Sequence, residues 1–443
     1  MKKLFIIITL IVITAACNDD YLERYPLADV SPLTYFKTED ELETYINSFY
    51  SYLPNESDIF RGDNQSDNLA TKSYNTVVAG QHQVQTSAGD AGWTWSYLRN
   101  VNFFLENYRN AEISDEAKNH YAGIARFFRA WFYFDKVKRF GDVPWYGKTI
   151  QTDEEELLYK GRDSRAMVID SVLADINFAC DHIYASTPEN TIDKWSALAL
   201  KSRIGLYEGT FRKYHGKNGS EIFLNACIEA SNEIIQNGNF SIYSAGNPEE
   251  DYLNLFLLDN ANTDEIILPR VYDHGLAKWH TANGNFLTGT LSAPGLTKSL
   301  VNTYLMKDGT PFTSQTGYET MIFVEETQNR DPRLAQTIRT PGYIRIDETE
   351  VKSPDFDNAR TGYQIIKFVL SNEYDGYNTN VNDLPIFRYA EVLLNFAEAK
   401  AEMGQLSQSD IDASINLIRA RVGMPNLTLS GLAVDPVLES RYA

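Results

Sequence analysis

A chain of 443 residues with 43% hydrophobic and 23% charged side chains is globular rather than disordered, and long enough for two domains or one large elaborated one. Sixty acidic residues against forty basic ones give a formal net charge of −20. That balance argues against nucleic acid and against polybasic docking on anionic lipid, and is compatible with neutral ligands such as sugars. Aromatic residues at 13% supply a core and leave a surplus suited to stacking surfaces.

The amino terminus reads as an export signal. Lys2 and Lys3 precede an apolar run from Leu4 to Thr14, then Ala15, Ala16 and Cys17. The run has signal-peptide length and is too short to span a bilayer as a helix. The pattern predicts a lipoprotein signal over 1–16 and a mature chain that begins at a lipidated Cys17. No later stretch approaches the ~18 apolar residues of a membrane span. The polar residues after Cys17, with Pro26 and Pro32, predict a tether over 17–37.

A helix is expected from Thr38, which forms a capping box with Glu41 and precedes Leu42, Tyr45, Ile46 and Phe49 at helical spacing. Pro54 stops it. Residues 55–90 are polar and show no period, so they read as a long functional or disordered loop. Trp95, Leu98, Val101 and Leu105 open the next helix. Ser114 to Phe140 is the densest apolar element, with two adjacent stripes, and predicts a helix buried at the centre. Gly141 and Pro144 end it. Helices follow at Arg165 to Ile183, Lys194 to Phe211 and Ile222 to Asn237.

The pattern then changes. Residues 240–385 hold short β-like runs, Glu265 to Leu268 and Gln364 to Val369, among many Gly, Asn and Pro positions. Helices return at Phe387 to Met403 and Ser409 to Val422. Trp195-x2-Leu198 and Tyr389 to Gly404 each look like the first helix of a tetratricopeptide unit, with a loose period near the ~34 residues of that repeat. The expected fold is therefore mainly α: tetratricopeptide-like helix pairs form a scaffold over about 38–238 and 385–425, with a loop-rich insertion over about 240–385 and a few short strands. Cys180 and Cys227 each sit in an apolar helical pattern, where buried free thiols are expected, although exported cysteines are also able to pair.

Several blocks together resemble a known family. They are Phe128-Arg-Ala-Trp-Phe-Tyr-Phe-Asp-Lys-Val-Lys-Arg-Phe-Gly-Asp-Val-Pro144, Asp193 to Arg203, Leu300 to Tyr304 with Asp308-Gly309, Asn329 to Leu334, Leu384 to Ala399, and Leu417 to Pro425. In order and over nearly the whole chain they resemble the SusD/RagB nutrient-binding lipoproteins of the bacterial outer membrane. The resemblance implies a single SusD-like domain over 38–443 with a helical scaffold. It also implies a lipid-anchored, outward-facing position in the outer membrane and a SusC-like TonB-dependent β-barrel transporter as partner. The implied activity is capture of oligosaccharide, or of peptide in the RagB branch, without catalysis and without a cofactor. Asn18-Asp19-Asp20 is similar to the acidic tag that sends such proteins outward. Family members continue with a further helix and a loop-rich tail, so the resemblance implies a C-terminally shortened chain.

No Gly-x-Ser-x-Gly, His-Glu-x-x-His or phosphate-loop motif is present, and no two of the six histidines lie four apart. The acidic stretch Asp259 to Asp264 lacks the glycine and terminal glutamate of a calcium loop. A carboxylate pair for glycoside hydrolysis is a spatial arrangement, about 5–9.5 Å apart, that sequence does not reveal. A sugar site needs exposed rings for the C–H face and placed polar groups for the hydroxyl rim. Two segments carry that mix: Asp67, Asn68, Lys72 and Tyr74, with Trp93 nearby; and Arg270, Tyr272, His274, Trp279, His280 and Asn283. Trp279 is the leading platform, because no periodic pattern buries it. These positions fall outside the family's blocks. Rival readings are a peptide-uptake protein, an anchored glycoside hydrolase and a pure protein-interaction module.

Overall fold

A computed structural model describes residues 35–83, 87, 89 and 92–442. The expected signal, Cys17 and nearly all of the expected tether lie outside the described residues. Among the described residues no helix is long and apolar enough to cross a membrane.

The first half is helical. α1 (Glu39–Asn47) starts at the expected capping box, with Thr38 and Glu41 satisfying each other's backbone N–H groups. In the segment expected to be irregular, a short α2 (Glu56–Phe60) forms because Asn55 and Asp58 make a second capping box. The two-residue strand β1 (Leu69–Ala70) follows it. α3 (Ser96–Asn107) leads to α4 (Asp115–Phe140), whose Ser114 cap accepts from Ala117 N at 3.1 Å. Acidic residues open α4 and basic residues close it, which complements the helix dipole. Both apolar stripes of α4 are buried, from Phe127 and Phe128 to Phe132 and Phe134.

α4 packs on α5 (Arg165–His182), and α6 (Lys194–Tyr214) packs on α7 (Ser220–Asn237). The first pair is joined by a buried two-point bridge: Arg129 donates through Nε and Nη2 to Asp175 at 2.6 and 2.8 Å. The second pair comes unusually close at Gly205. A Cβ there would meet the Cys227 nitrogen and the Phe223 carbonyl, each at 2.7 Å. Cys180 and Cys227 are free and buried. Burial pushes their thiols up to about 12 and about 11 respectively.

The chain then leaves the helices, makes β2 (Ile266–Arg270) and wanders through short turns. Within that stretch lie the short helix α8 (Ala282–Leu287) and the strand β3 (Gly295–Leu296), which pairs antiparallel with β1. It returns through β4 (Leu384–Arg388), antiparallel to β2, into α9 (Tyr389–Glu402), which closes on α6 and α7.

Two expected elements differ. Gln364 to Val369 makes isolated bridges to Gly295 and Ile338 but no strand, and Phe368 at φ 69° breaks the extended run. The expected last helix is split into Gln408–Asp412 and α10 (Ile415–Arg421). Ser414 is buried at the break, and its hydroxyl donates to the Asp410 carbonyl at 2.5 Å, competing with the helix ladder.

Among the described residues two large apolar cores result, beside a small cluster where Leu224, Cys227 and Ala399 meet. One runs through the helices from Phe36 to Ile418. The other sits among the turns from Phe60 to Leu384. Glu265, fully buried beside β2, ties them together. It bonds Arg388 of β4 at 2.7 Å and Arg421 of α10 at 2.8 Å, and accepts from Tyr243 N at 2.8 Å. A buried carboxylate is tolerated only when so fully paired.

Candidate functional site

The two segments singled out in the sequence meet a common frame, residues 280–297. Just ahead of the first, Phe60 of α2 packs its ring 6.1 Å from His280 and 5.9 Å from Phe286. Arg61 Nε donates to Asn285 Oδ1 at 2.8 Å. Lys72 bonds the Ser292 carbonyl through its backbone at 2.9 Å and the Gly289 carbonyl through Nζ at 3.1 Å. Thr297 holds the Asp67 and Asn68 carbonyls, through its hydroxyl at 2.6 Å and its N–H at 2.9 Å. The Asp67 side chain is exposed and Asn68 is half-buried. Beyond them Tyr74 is 69% exposed, and its hydroxyl donates to Gln81 at 2.7 Å. Asn75 braces this loop: its Oδ1 accepts from Val77 N and its Nδ2 donates to the Asn64 carbonyl.

The second segment leaves β2 through Arg270, half-buried, whose Nη1 reaches the Leu53 carbonyl at 3.3 Å. Asp273 and Lys278 then exchange backbone bonds at 3.0 Å, with Ala277 at φ 52°, closing a tight turn. Trp279 follows at once, 37% exposed, with its indole N–H donating to His274 Nδ1 at 2.8 Å. The next residue turns inward. His280 is fully buried, exchanges backbone bonds with Asn380 at 3.0 and 3.1 Å, and donates from Nε2 to the Asn382 carbonyl at 2.9 Å. Its other nitrogen accepts from Ala282 N, so it is held neutral, and burial pulls its pKa down to about 4. Trp279 is thus an exposed ring fixed between a closed turn and a buried anchor.

Tyr272, Asn283 and His280 do not lie at the surface that their loop-like sequence context suggests. Tyr272 is buried against the His280 ring, with centroids 4.6 Å apart. Burial raises its phenol pKa. Its hydroxyl has no hydrogen-bond partner among the described residues. Asn283 is completely buried, and its amide is spent on the Leu370 N–H, the Ser371 carbonyl, Asp375 and Asn380. Sequence reasoning missed these partners because Asn380 and Asp375 lie almost a hundred positions away. Trp93 does not join this frame. It packs edge-on against Trp95 and Phe140 beside the helical core.

Two family models divide the chain between them. One, described as starch-binding and associating with outer membrane, matches residues 20–206; the other, the SusD family, matches residues 232–439. The chain belongs to the SusD-like family. A SusD-like protein of Formosa agariphila is 26% identical over 321 residues, covering 67% of this chain. The SusD-like chain spans only 55% of that relative. A solved SusD-like protein of Bacteroides fragilis superposes with a TM-score of 0.72 at 24% identity, over 94% of this chain and 84% of that one. A SusD-like carbohydrate-binding protein of the same organism gives 0.72 at 23% identity, over 92% and 82%. The mainly helical scaffold expected from the sequence is the fold these structures share.

Proposed function

We propose that this SusD-like chain is a cell-surface binding protein, anchored through lipid on Cys17, that captures oligosaccharide and passes it uncleaved to a SusC-like TonB-dependent barrel. The observation that carries the binding reading is Trp279: a solvent-facing indole held on one side by a closed surface turn and its bond to His274, and on the other by the buried His280. An ordered ring loses little freedom when it stacks on the C–H face of a pyranose. Tyr74 offers a second ring from the loop that Lys72 ties to the same frame. Asp67, Asn68 and Arg270 supply hydroxyl partners at its rim, while Tyr272 and Asn283 hold the frame from beneath. The starch-binding description of the matching family model and the carbohydrate-binding relative support the same ligand class.

Modest affinity is expected, because a sugar exchanges hydrogen bonds with water for hydrogen bonds with protein at small net gain. Native affinity gels cast with single polysaccharides test the reading. Retardation by at least one neutral glycan, relieved by Trp279→Ala, supports it. Free migration through every glycan, together with binding to peptides, would replace the sugar by a peptide ligand. Release of shorter sugars during the run would instead make the protein a hydrolase.

A further inference from the structure

On the helical half, away from the Trp279 frame and sharing no residue with it, a cleft of about 410 Å³ opens between α3 and the segment that follows α4. Three rings form its wall. Trp93 and Trp95 meet edge-on with centroids 5.1 Å apart, and Trp95 meets Tyr146 edge-on at 5.8 Å. Three cations, Arg99, Lys148 and Lys160, also line it, and none of the described lining residues is acidic. In a chain with sixty acidic and forty basic residues, a lining that carries cations and no carboxylate is against the average.

Among the described residues, Lys148 and Lys160 are paired with carboxylates outside the lining, and Arg99 is not. Glu106 accepts from the backbone and hydroxyl of Thr149 at 2.7 and 2.5 Å. Glu154 pairs with Lys148. Asp163 pairs with Lys160 at 2.6 Å and accepts from Trp145 N at 2.7 Å. Arg99 is exposed and has no carboxylate partner among the described residues; its bond is to the Ile150 carbonyl at 2.5 Å. Further positive charge stands behind the rings, with the Arg162 guanidinium 4.8 Å from the Trp93 ring and the Lys136 ammonium 5.9 Å from that of Trp95.

Rings suit the apolar face of a sugar, and an unpaired guanidinium suits a carboxylate or sulfate. We infer that this cleft is a second ligand site, for an anionic oligosaccharide bearing carboxylate or sulfate groups, with Arg99 as its principal anion contact. It shares no lining residue with the Trp279 frame, so single substitutions separate the two sites.

Tryptophan fluorescence of the whole chain, titrated with an oligogalacturonide, with a sulfated oligosaccharide of similar length and with the carboxyl-reduced neutral counterpart, tests this. Quenching by one or both anionic probes is expected, and which of them binds identifies the anion. Affinity should fall at least about tenfold in Arg99→Ala, and fall again as salt rises from about 50 to about 500 mM. Arg99 is exposed, so the variant should melt with the wild type, and a matched melting temperature verifies folding. The anionic probe should still bind Trp279→Ala. The inference is overturned if no anionic probe binds, if the neutral counterpart binds equally well, if Arg99→Ala with Lys148→Ala leaves affinity intact, or if Trp279→Ala abolishes anion binding. Loss of neutral-glycan binding alone bears on the Trp279 frame and leaves this cleft untouched.

Discussion

Asn283 and Asn380 lock to each other from both sides: the Asn283 backbone N–H donates to Asn380 Oδ1 at 3.1 Å, and Asn380 Nδ2 donates back to Asn283 Oδ1 at 2.8 Å. Both residues are fully buried. The pair staples α8 to the loop before β4, and the Trp279 turn hangs from the same staple through His280 and the Asn380 backbone.

Removing one partner of such a pair leaves the other's polar atoms buried and unmet. Asn283→Ala should therefore destabilise the protein by about 3 kcal/mol, within the range for a broken buried network. Urea denaturation at constant m-value reads this directly. A change within about 0.5 kcal/mol, the size of an ordinary surface substitution, would mean the staple carries no weight.

The buried imidazole of His280 makes the frame acid-sensitive. Unfolded, it takes up a proton near pH 6.5; folded, it resists until about pH 4. Its contribution is thus fully present above pH 6.5 and is lost as pH falls from there toward pH 4, by roughly 3 kcal/mol at most. His120, pulled down to about 4 by burial, acts in the same direction. Melting curves taken from about pH 7.5 to about pH 4.5 should fall less steeply for His280→Gln than for the wild type. Identical slopes would contradict the assignment.

The close crossing of α6 and α7 depends on a missing side chain. Gly205→Ala puts a methyl 2.7 Å from two backbone atoms of α7, and backbone in a packed helix pair yields poorly. A loss of about 1–3 kcal/mol is expected from overpacking, outweighing the helix propensity gained. A melting temperature at or above wild type would show that the pair relaxes freely.

The proposed anchoring rests on Cys17. The intact mass of protein extracted from membranes should carry acyl chains on that residue, and Cys17→Ser should move the protein to the soluble fraction, since one or no chain holds poorly. An unmodified mature mass would remove the anchor from the account.

Much of the scaffold was legible in advance, because its helices carry local signals: Thr38 and Ser114 as caps, and stripes such as Phe128 and Phe132. The turns between residues 240 and 385 were not. There the structure is set by distant partners, as with Glu265 against Arg421 or Asn283 against Asp375, and no local period encodes such contacts. The same reason separates the candidate residues. Trp279 is exposed as its pattern-free context suggests. Tyr272, two positions beyond β2 in an equally loop-like stretch, is buried by a His280 ring whose position depends on Asn380 and Asn382. The Trp93–Trp95–Tyr146 wall escaped notice because its rings come from segments about fifty residues apart.

Isothermal titration of the mature chain with a panel of neutral oligosaccharides, repeated on Trp279→Ala, bears most directly on the central claim. The account predicts saturable heat with at least one neutral glycan, and a loss of about tenfold or more in affinity for the variant at unchanged melting temperature. Glycan binding that Trp279→Ala leaves untouched, or no glycan heat beside clear peptide binding, would contradict it.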